Sequence, residues 1–245
     1  MEKEMNWNLQ GYRAVVTGGS QGIGRAIVEE YRRLGAEVMS VSLEEGVVAD
    51  VATAEGRDQV IASLPWETVD VLVNNVGTNV RKPTVEYTLA EYERVMATNA
   101  TSMHELSRMM HPWLKRSGRG SVVNIGSVAG VLSVGSSAAY AMTKAAVAHL
   151  ARYLAVEWAK DGIRVNAIAP GWVATALTEK IQQSGKAMRV IEERTPLGRM
   201  GRPEEIAAVA AFLAMEGASY LTGAVIPVDG AMSAYGMDMT AALRE

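Results

Sequence analysis

Residues 14–16, Ala-Val-Val, run directly into Thr17-Gly18-Gly19-Ser20-Gln21-Gly22-Ile23-Gly24. A segment of helical spacing, residues 25–34, follows and stops at Gly35. A short apolar run reads as a buried strand, and a helix opening straight after a glycine turn is the setting that a phosphate-binding loop needs. Gly18 permits the tight turn. Gly22 lets backbone N–H groups approach a pyrophosphate at the helix N-terminus, where the dipole favours negative charge. Gly24 allows helix and strand to pack closely. A chain that begins this way is constrained to an α/β fold with parallel strands.

The rest of the chain keeps the same alternation. Strands are expected at residues 13–17, 37–42, 47–49, 69–74, 121–126, 164–169 and 224–228. Helices are expected at 23–34, 53–63, 89–115, 138–161, 176–183 and 203–214. Several strands are continuous apolar runs, as strands covered on both faces must be. This pattern implies a parallel sheet with helices on both faces. No linker, repeat or low-complexity stretch interrupts it, so residues 1–245 read as one domain.

Chemistry is signalled further along. Tyr140 and Lys144 lie four residues apart and so share one helix face, with Ser127 thirteen residues before Tyr140. A free phenol titrates near 10 and exchanges protons poorly at neutral pH. A lysine ammonium one turn away favours the phenolate and brings that pKa down, which makes the tyrosine a usable acid or base. A serine hydroxyl beside it can hold a substrate oxygen whose charge changes.

Together these residues resemble the short-chain dehydrogenase/reductase family, over residues 9–236. Further pieces fall in the family's order: Asp50-Val51, Asn74-Asn75-Val76-Gly77, Asn99, Asn124-Ile125-Gly126-Ser127, Arg164-Val165-Asn166, Pro170-Gly171 with Thr175, and Val228-Asp229-Gly230. Val76 replaces the family's usual Ala. The stretches 74–99, 111–130 and 218–230 are most similar to tropinone reductases and their homologues. The resemblance implies a single Rossmann-type, doubly wound, seven-stranded parallel sheet, and an NAD(P)-dependent enzyme that interconverts a ketone and a secondary alcohol. It implies that Tyr140 is the acid in reduction and the base in oxidation, and that Ser127 binds the substrate oxygen. Lys144 lowers the pKa of Tyr140 and binds the nicotinamide ribose. Asn99 supports a water linked to Lys144, or merely kinks its helix. The glycine loop, with Ser20, Gln21 and Ile23, is expected at the cofactor. Asp50 and Val51 are expected at the adenine, and Asn75 and Gly77 along the adenosine side. Pro170, Gly171, the Val173 backbone and Thr175 are expected at the carboxamide. Asn74 is expected to brace its strand.

The link from the second strand to Asp50 is only residues 43–49, where a parallel crossover usually needs a dozen or more and the family usually has a helix. A tight loop is expected there instead. Ser42 and Leu43 stand where a ribose-binding acid or a phosphate-binding base would decide between NAD and NADP. Gln21 and Leu43 occupy two positions that carry basic residues in phosphate-preferring relatives. Glu44 and Glu45 follow and would repel a 2′-phosphate. NAD is therefore favoured about two to one. NADP stays open through Ser42 or through Arg57 folding back.

The substrate pocket is expected to be lined by Val128, Val134, Trp172, Leu177 and Met188, with Val131 and Ala176 nearby. Such a pocket suits a small, uncharged, cyclic ketone, although Arg81 and Arg194 are two cations to consider. Residues 172–200 form the substrate segment, with 172–193 expected to act as a mobile lid. Two long helices carry more apolar surface than one buried stripe requires, at Met103, Leu106, Met109 and Met110 and at Ala148, Leu150, Ala151, Tyr153 and Leu154. In the family these helices pair across a two-fold axis, which implies a homotetramer. A catalytically silent dinucleotide-binding sensor or scaffold, or an imine reductase on the same frame, are the alternatives.

Bulk properties narrow the partners. A net charge of −3 gives no electrostatic case for nucleic acid or an anionic membrane. The longest apolar stretch, near 207–215, is far short of a membrane span. The chain has no cysteine, which excludes thiol catalysis and fits a reducing cytoplasm. Its first residues, Met1-Glu2-Lys3-Glu4, lack the pattern of a signal peptide. The three histidines, His104, His111 and His149, lack metal-ligand spacing, so no metal is expected.

Overall fold

A computed structural model describes residues 6–236. The readings placed on Met1–Glu4, and the two ends of the 1–245 domain assignment, lie outside the described residues. All seven expected strands form, and all are parallel. They are β1 (Arg13–Thr17), β2 (Glu37–Ser42), β3 (Val47–Val48), β4 (Val71–Asn74), β5 (Ser121–Ile125), β6 (Arg164–Pro170) and β7 (Val225–Val228). Their spatial order is β3-β2-β1-β4-β5-β6-β7. The order reverses between β1 and β4, and at such a switch point a crevice opens beyond the carboxyl ends of the strands. β1, β4 and β5 are buried almost throughout, which explains their unbroken valine runs.

Helices cover both faces. On one side α1 (Gly22–Arg33) packs on α8 (Pro203–Ala214), with Ile27, Tyr31, Ile206 and Leu213 fully buried between them and the sheet. The Tyr31 hydroxyl satisfies itself in that core by donating to the Ala210 carbonyl at 2.9 Å. The other face carries α2 (Ala54–Ala62), α3 (Leu89–Met96), α4 (Ser102–Ser117) and α5 (Ala138–Glu157). Leu106, Met110, Leu114, Ala151 and Trp158 form that core. Among the described residues no helix is long and apolar enough to cross a membrane.

Three elements differ from the sequence expectation. The helix expected over 89–115 is broken by a π-helical turn, Ala97–Thr101, because the Asn99 side chain is drawn to the neighbouring loop. The expected lid is structured. It holds a short 3₁₀ turn, then α6 (Glu179–Gln182) and α7 (Gly185–Arg194), anchored by buried Ile191 and by Thr178, whose hydroxyl donates to the Val173 carbonyl at 2.7 Å. The supposedly surplus apolar residues Met103, Leu106, Met110, Ala148, Ala151 and Leu154 are packed within this chain's own core. Only Tyr153 of that set stands well out, together with Met142 and Val156 on the same helix.

The short link after β2 is a loop without a helix. Ser42 organises it. Its hydroxyl donates to the Glu45 carbonyl at 2.7 Å and accepts from the N–H groups of Glu44 and Glu45 at 3.1 and 2.9 Å. Gly46 closes the turn at φ +74, where a Cβ would sit 2.4 Å from the Ser40 carbonyl oxygen.

Candidate active site

One cleft, of about 740 Å³, runs along the carboxyl edge of the sheet across the switch point. The loop after β1 forms its floor. Gly24 belongs to the packing beneath, since a Cβ there would lie 2.0 Å from the Gly18 carbonyl oxygen, and Gly18 and Gly22 both take positive φ. Asn75 joins the loops on either side of the switch point. Its amide donates to the carbonyls of Thr17 and Gly18 at 3.1 and 3.2 Å, while its backbone N–H donates to the Thr17 hydroxyl at 3.0 Å. Asn74 braces the sheet from behind, donating to Asn124 at 2.9 Å and to Ser107 at 3.0 Å.

Gly18, Ser20, Gln21, Gly22, Ile23, Ser42, Leu43, Asp50, Val51, Asn75, Gly77, Pro170, Gly171, Val173 and Thr175 all line this cleft. So do Ser127, Tyr140, Val128, Val134, Trp172 and Leu177. Met188 does not. It lies on α7 and lines neither this cleft nor the cavity adjoining it. Ser42 lines the wall but its hydroxyl is already bonded three times within the loop. Arg57 is buried and donates to the Val51 carbonyl at 2.9 Å. The Ser42 hydroxyl is therefore spent on its own loop, and Arg57 does not line the cleft, so neither stands ready for a 2′-phosphate in the way the sequence left open.

At the other end of the cleft Ser127 closes β5 and accepts the Ala129 N–H at 3.1 Å. Tyr140 enters on the first turn of α5, which Ser137 caps by accepting the Tyr140 N–H at 3.2 Å. Asn79 clamps this turn to the loop after β4: it accepts from Ser137 at 3.0 Å and donates to Ser136 at 2.6 Å. The Tyr140 hydroxyl lies close enough to that of Ser127 for the serine to favour its phenolate. Lys144, 3 % exposed, donates to the Ile125 carbonyl at 2.9 Å, with its Nζ 5.5 Å from the centre of the Tyr140 ring. Asn99 is fully buried behind this group. Its carboxamide accepts from the Thr78 N–H at 2.7 Å and donates to the Thr78 carbonyl and the Thr143 hydroxyl. The loop bearing Gly77 is thus pinned against Lys144; a Cβ on Gly77 would stand 3.4 Å from the lysine nitrogen.

The electrostatics differ from the sequence expectation. Burial raises the Tyr140 pKa, and the Ser127 hydrogen bond and the Arg81 charge pull it back only in part. Burial also lowers Lys144 to about 8. Desolvation acts on both partners and disfavours charge on each, so the simple picture of an ammonium dragging down a phenol does not describe this geometry.

The cleft also holds Arg81, one of the two cations the sequence offered, and residues that the sequence did not mark as its wall: Thr78, Asn79, Arg94, Thr98 and Ser136. No local pattern distinguishes these, because they come together from the loop after β4, helix α3, the π-helical turn after it and the loop before α5.

A protein-family profile described as an enoyl-(acyl carrier protein) reductase matches residues 18–233. A tropinone reductase homologue from Arabidopsis thaliana is 43% identical, over 96% of this chain and 97% of that protein. A chloroplastic tropinone reductase homologue from the same plant is 41% identical over 94% of this chain and 78% of its own length. Among solved structures, a Beutenbergia cavernae protein provisionally described as an NAD(P)-dependent gluconate 5-dehydrogenase, with NADP bound, superposes at a TM-score of 0.88. It is 38% identical and covers 94% of this chain and 99% of its own. Pseudomonas aeruginosa RhlG, in an active-site complex with NADP, superposes at 0.88 with 34% identity over 94% of this chain and 99% of its own.

Proposed function

The chain belongs to the short-chain dehydrogenase/reductase family, and from that premise we propose that it interconverts a small ketone and its secondary alcohol with Tyr140 as the proton-transfer group. The coarser statement is plain: it is an oxidoreductase of the CH–OH/C=O type that uses NAD or NADP. One observation carries the finer reading. Two hydroxyls, Tyr140 and Ser127, meet in the cleft wall at the carboxyl edge of the sheet, with a buried ammonium behind them.

Ser127 holds the substrate oxygen. Its Oγ accepts the Ala129 N–H, and its own proton, which faces Tyr140, turns to the substrate oxygen when that oxygen arrives. Tyr140 gives its proton to the forming alkoxide. A pKa raised by burial keeps the phenol protonated at neutral pH, which suits the reducing direction. Lys144 fixes the edge of α5 against β5 through Ile125 and keeps a positive charge near the reacting oxygen. Asn99 positions the Gly77–Thr78 backbone beside it.

The dinucleotide fits the floor of the cleft. The tight Gly18–Gly24 packing leaves that floor free of side-chain bulk, and the wall from Ser20 to Ile23 lies at the start of α1. Asp50 and Val51 would meet the adenine. Pro170, Gly171, Val173 and Thr175 would meet the carboxamide. When bound, the nicotinamide supplies or accepts the hydride. We favour NAD, because Gln21 and Leu43 bring no cation and Glu44 stands in the wall. NADP in two solved relatives makes both forms part of the test. The chain is read as one domain with residues 172–200 as its substrate segment. It is read as a cytoplasmic homotetramer paired through the outward face of α5.

Two measurements test the reading. Reduced NAD and NADP are titrated separately by nicotinamide fluorescence, and a panel of small cyclic ketones is assayed with Tyr140→Phe as the control. Retained cofactor binding with collapsed turnover in the variant is the expected result. Undiminished turnover in Tyr140→Phe would remove the tyrosine from the reaction, and turnover by neither protein would favour the silent sensor.

A further inference from the structure

The cleft wall is unevenly charged. Its two carboxylates, Glu44 and Asp50, both stand beside β2 and β3. The loop after β4 and helix α3 contribute two guanidinium groups, Arg81 and Arg94, and no acid. Neither arginine pairs with a carboxylate among the described residues, although elsewhere this chain pairs its arginines freely, as in Arg119 with Asp70 and Arg199 with Glu205. Arg81 makes one hydrogen bond, from Nη1 to the Leu177 carbonyl at 3.2 Å, out of the five donors a guanidinium owns. It is also close enough to Tyr140 for its charge to act on the phenol.

Arg81 borders a second cavity as well. This one measures about 560 Å³ and shares Arg81, Ala129, Val134 and Ser136 with the cleft. Its remaining wall includes the hydroxyl-bearing Thr84 and Ser133. An exposed cation that lines both the cleft holding the reacting hydroxyls and a polar side cavity, and has no carboxylate partner among the described residues, is suited to an anionic group on the ligand. A carboxylate matches the planar fork of a guanidinium bidentately. An anionic ligand group departs from the sequence-based expectation of an uncharged substrate.

We propose that the substrate is a carboxylate-bearing ketone or hydroxy acid, and that Arg81 holds its carboxylate while the carbonyl faces Tyr140 and Ser127. This rests on the oxidoreductase reading above and names its substrate class. Arg94 adds positive potential to the same wall, and the hydroxyls of the side cavity receive the polar remainder of the molecule. The Leu177 carbonyl gives up its bond to Arg81, or shares the fork, when the carboxylate arrives.

The test uses a matched pair of probes, 4-oxocyclohexanecarboxylate and its methyl ester, which differ in charge and keep the same ring ketone. Binding to the complex with reduced cofactor is read from nicotinamide fluorescence, and turnover from loss of reduced nicotinamide. Wild type is expected to bind and reduce the carboxylate about tenfold to a hundredfold better than the ester, the range of one charge-assisted hydrogen-bonded contact. Arg81→Gln is expected to bring that ratio to about one, while Arg81→Lys keeps part of it. Equal binding of the two probes, binding of neither, or an Arg81→Gln effect equal on both would overturn the proposal. Turnover of both probes without preference leaves the reductase reading standing and removes the carboxylate. Binding of the carboxylate that depends on Arg81, without turnover of either probe, keeps the anion site and counts against the redox reading.

Discussion

The two ends of the cleft are built from similar residue types and handle them in opposite ways. Beside β2 and β3 the polar groups are used internally. Ser42 ties its own loop, Arg57 satisfies the Val51 carbonyl, and Asp50 accepts the Ala52 N–H at 3.0 Å. Beside β5 and α5 they are turned to the cleft. Tyr140 and Ser127 meet in the wall, and Arg81 keeps most of its donors unused. A polar residue near a cleft is therefore informative only once its existing partners are known. Groups bonded within the fold shape a surface, and cleft-facing ones without a charged protein partner are those a ligand can meet.

The largest effect is expected at the reactive end. Tyr140→Phe removes the proton donor and should cut turnover about 10²- to 10⁴-fold, the usual scale of a positioned acid or base. Cofactor titration of the same variant checks that binding persists. A loss of binding equal to the loss of rate would dissolve the contrast between the two ends.

Lys144 tests the same end through stability. Burial holds it at about 8, below its ordinary 10.5. The unfolded chain then holds the proton more tightly, so the buried ammonium costs about 3 kcal/mol at pH values below the folded pKa. The cost fades as pH rises from about 8 toward 10.5. Lys144→Met loses the Ile125 hydrogen bond at every pH and relieves the ammonium cost only at lower pH, so its melting temperature relative to wild type should be highest near pH 7 and fall in alkaline buffer. Thermal unfolding of both proteins across that range gives the answer, and a constant gap would place the cause in packing rather than charge.

The inwardly satisfied end should respond through its backbone. Gly46→Ala forces a Cβ toward the Ser40 carbonyl at positive φ and should cost about 1–3 kcal/mol. Chemical denaturation measures it, and cofactor affinity is expected to fall with it because Leu43 and Glu44 move. The smallest effect is a graft. Leu43→Arg places a cation in the wall where neither Ser42 nor Arg57 is free, and should shift the NADPH-to-NADH affinity ratio about tenfold toward NADPH. An unchanged ratio would show that this loop is not where the two cofactors are told apart.

Much of this was legible in the chain itself. The strand and glycine turn at 14–24 fold as read, because an apolar run bounded by glycines has few other ways to bury itself and satisfy its backbone. The loop without a helix at 43–46 was legible from its length alone. The segment 172–193 was not: its anchors are Thr178 on the Val173 carbonyl and Ile191 in the core, contacts that no periodicity announces. A kink at Asn99 was one of two readings the family resemblance offered, but its cause, Thr78 in another element, was not legible.

The amino-acid order alone determined the layered α/β architecture, the family, and the pairing of Tyr140 with Lys144, because these depend on local spacing and on which short runs are apolar. Only the tertiary structure decided which polar side chains remain free. It used up Ser42, kept Arg57 out of the wall, left Arg81 and Arg94 in it, and raised Tyr140 where a helix-face argument would lower it. Hydrogen-bond partners and desolvation come from residues distant in the chain, and no neighbouring residue carries a record of them.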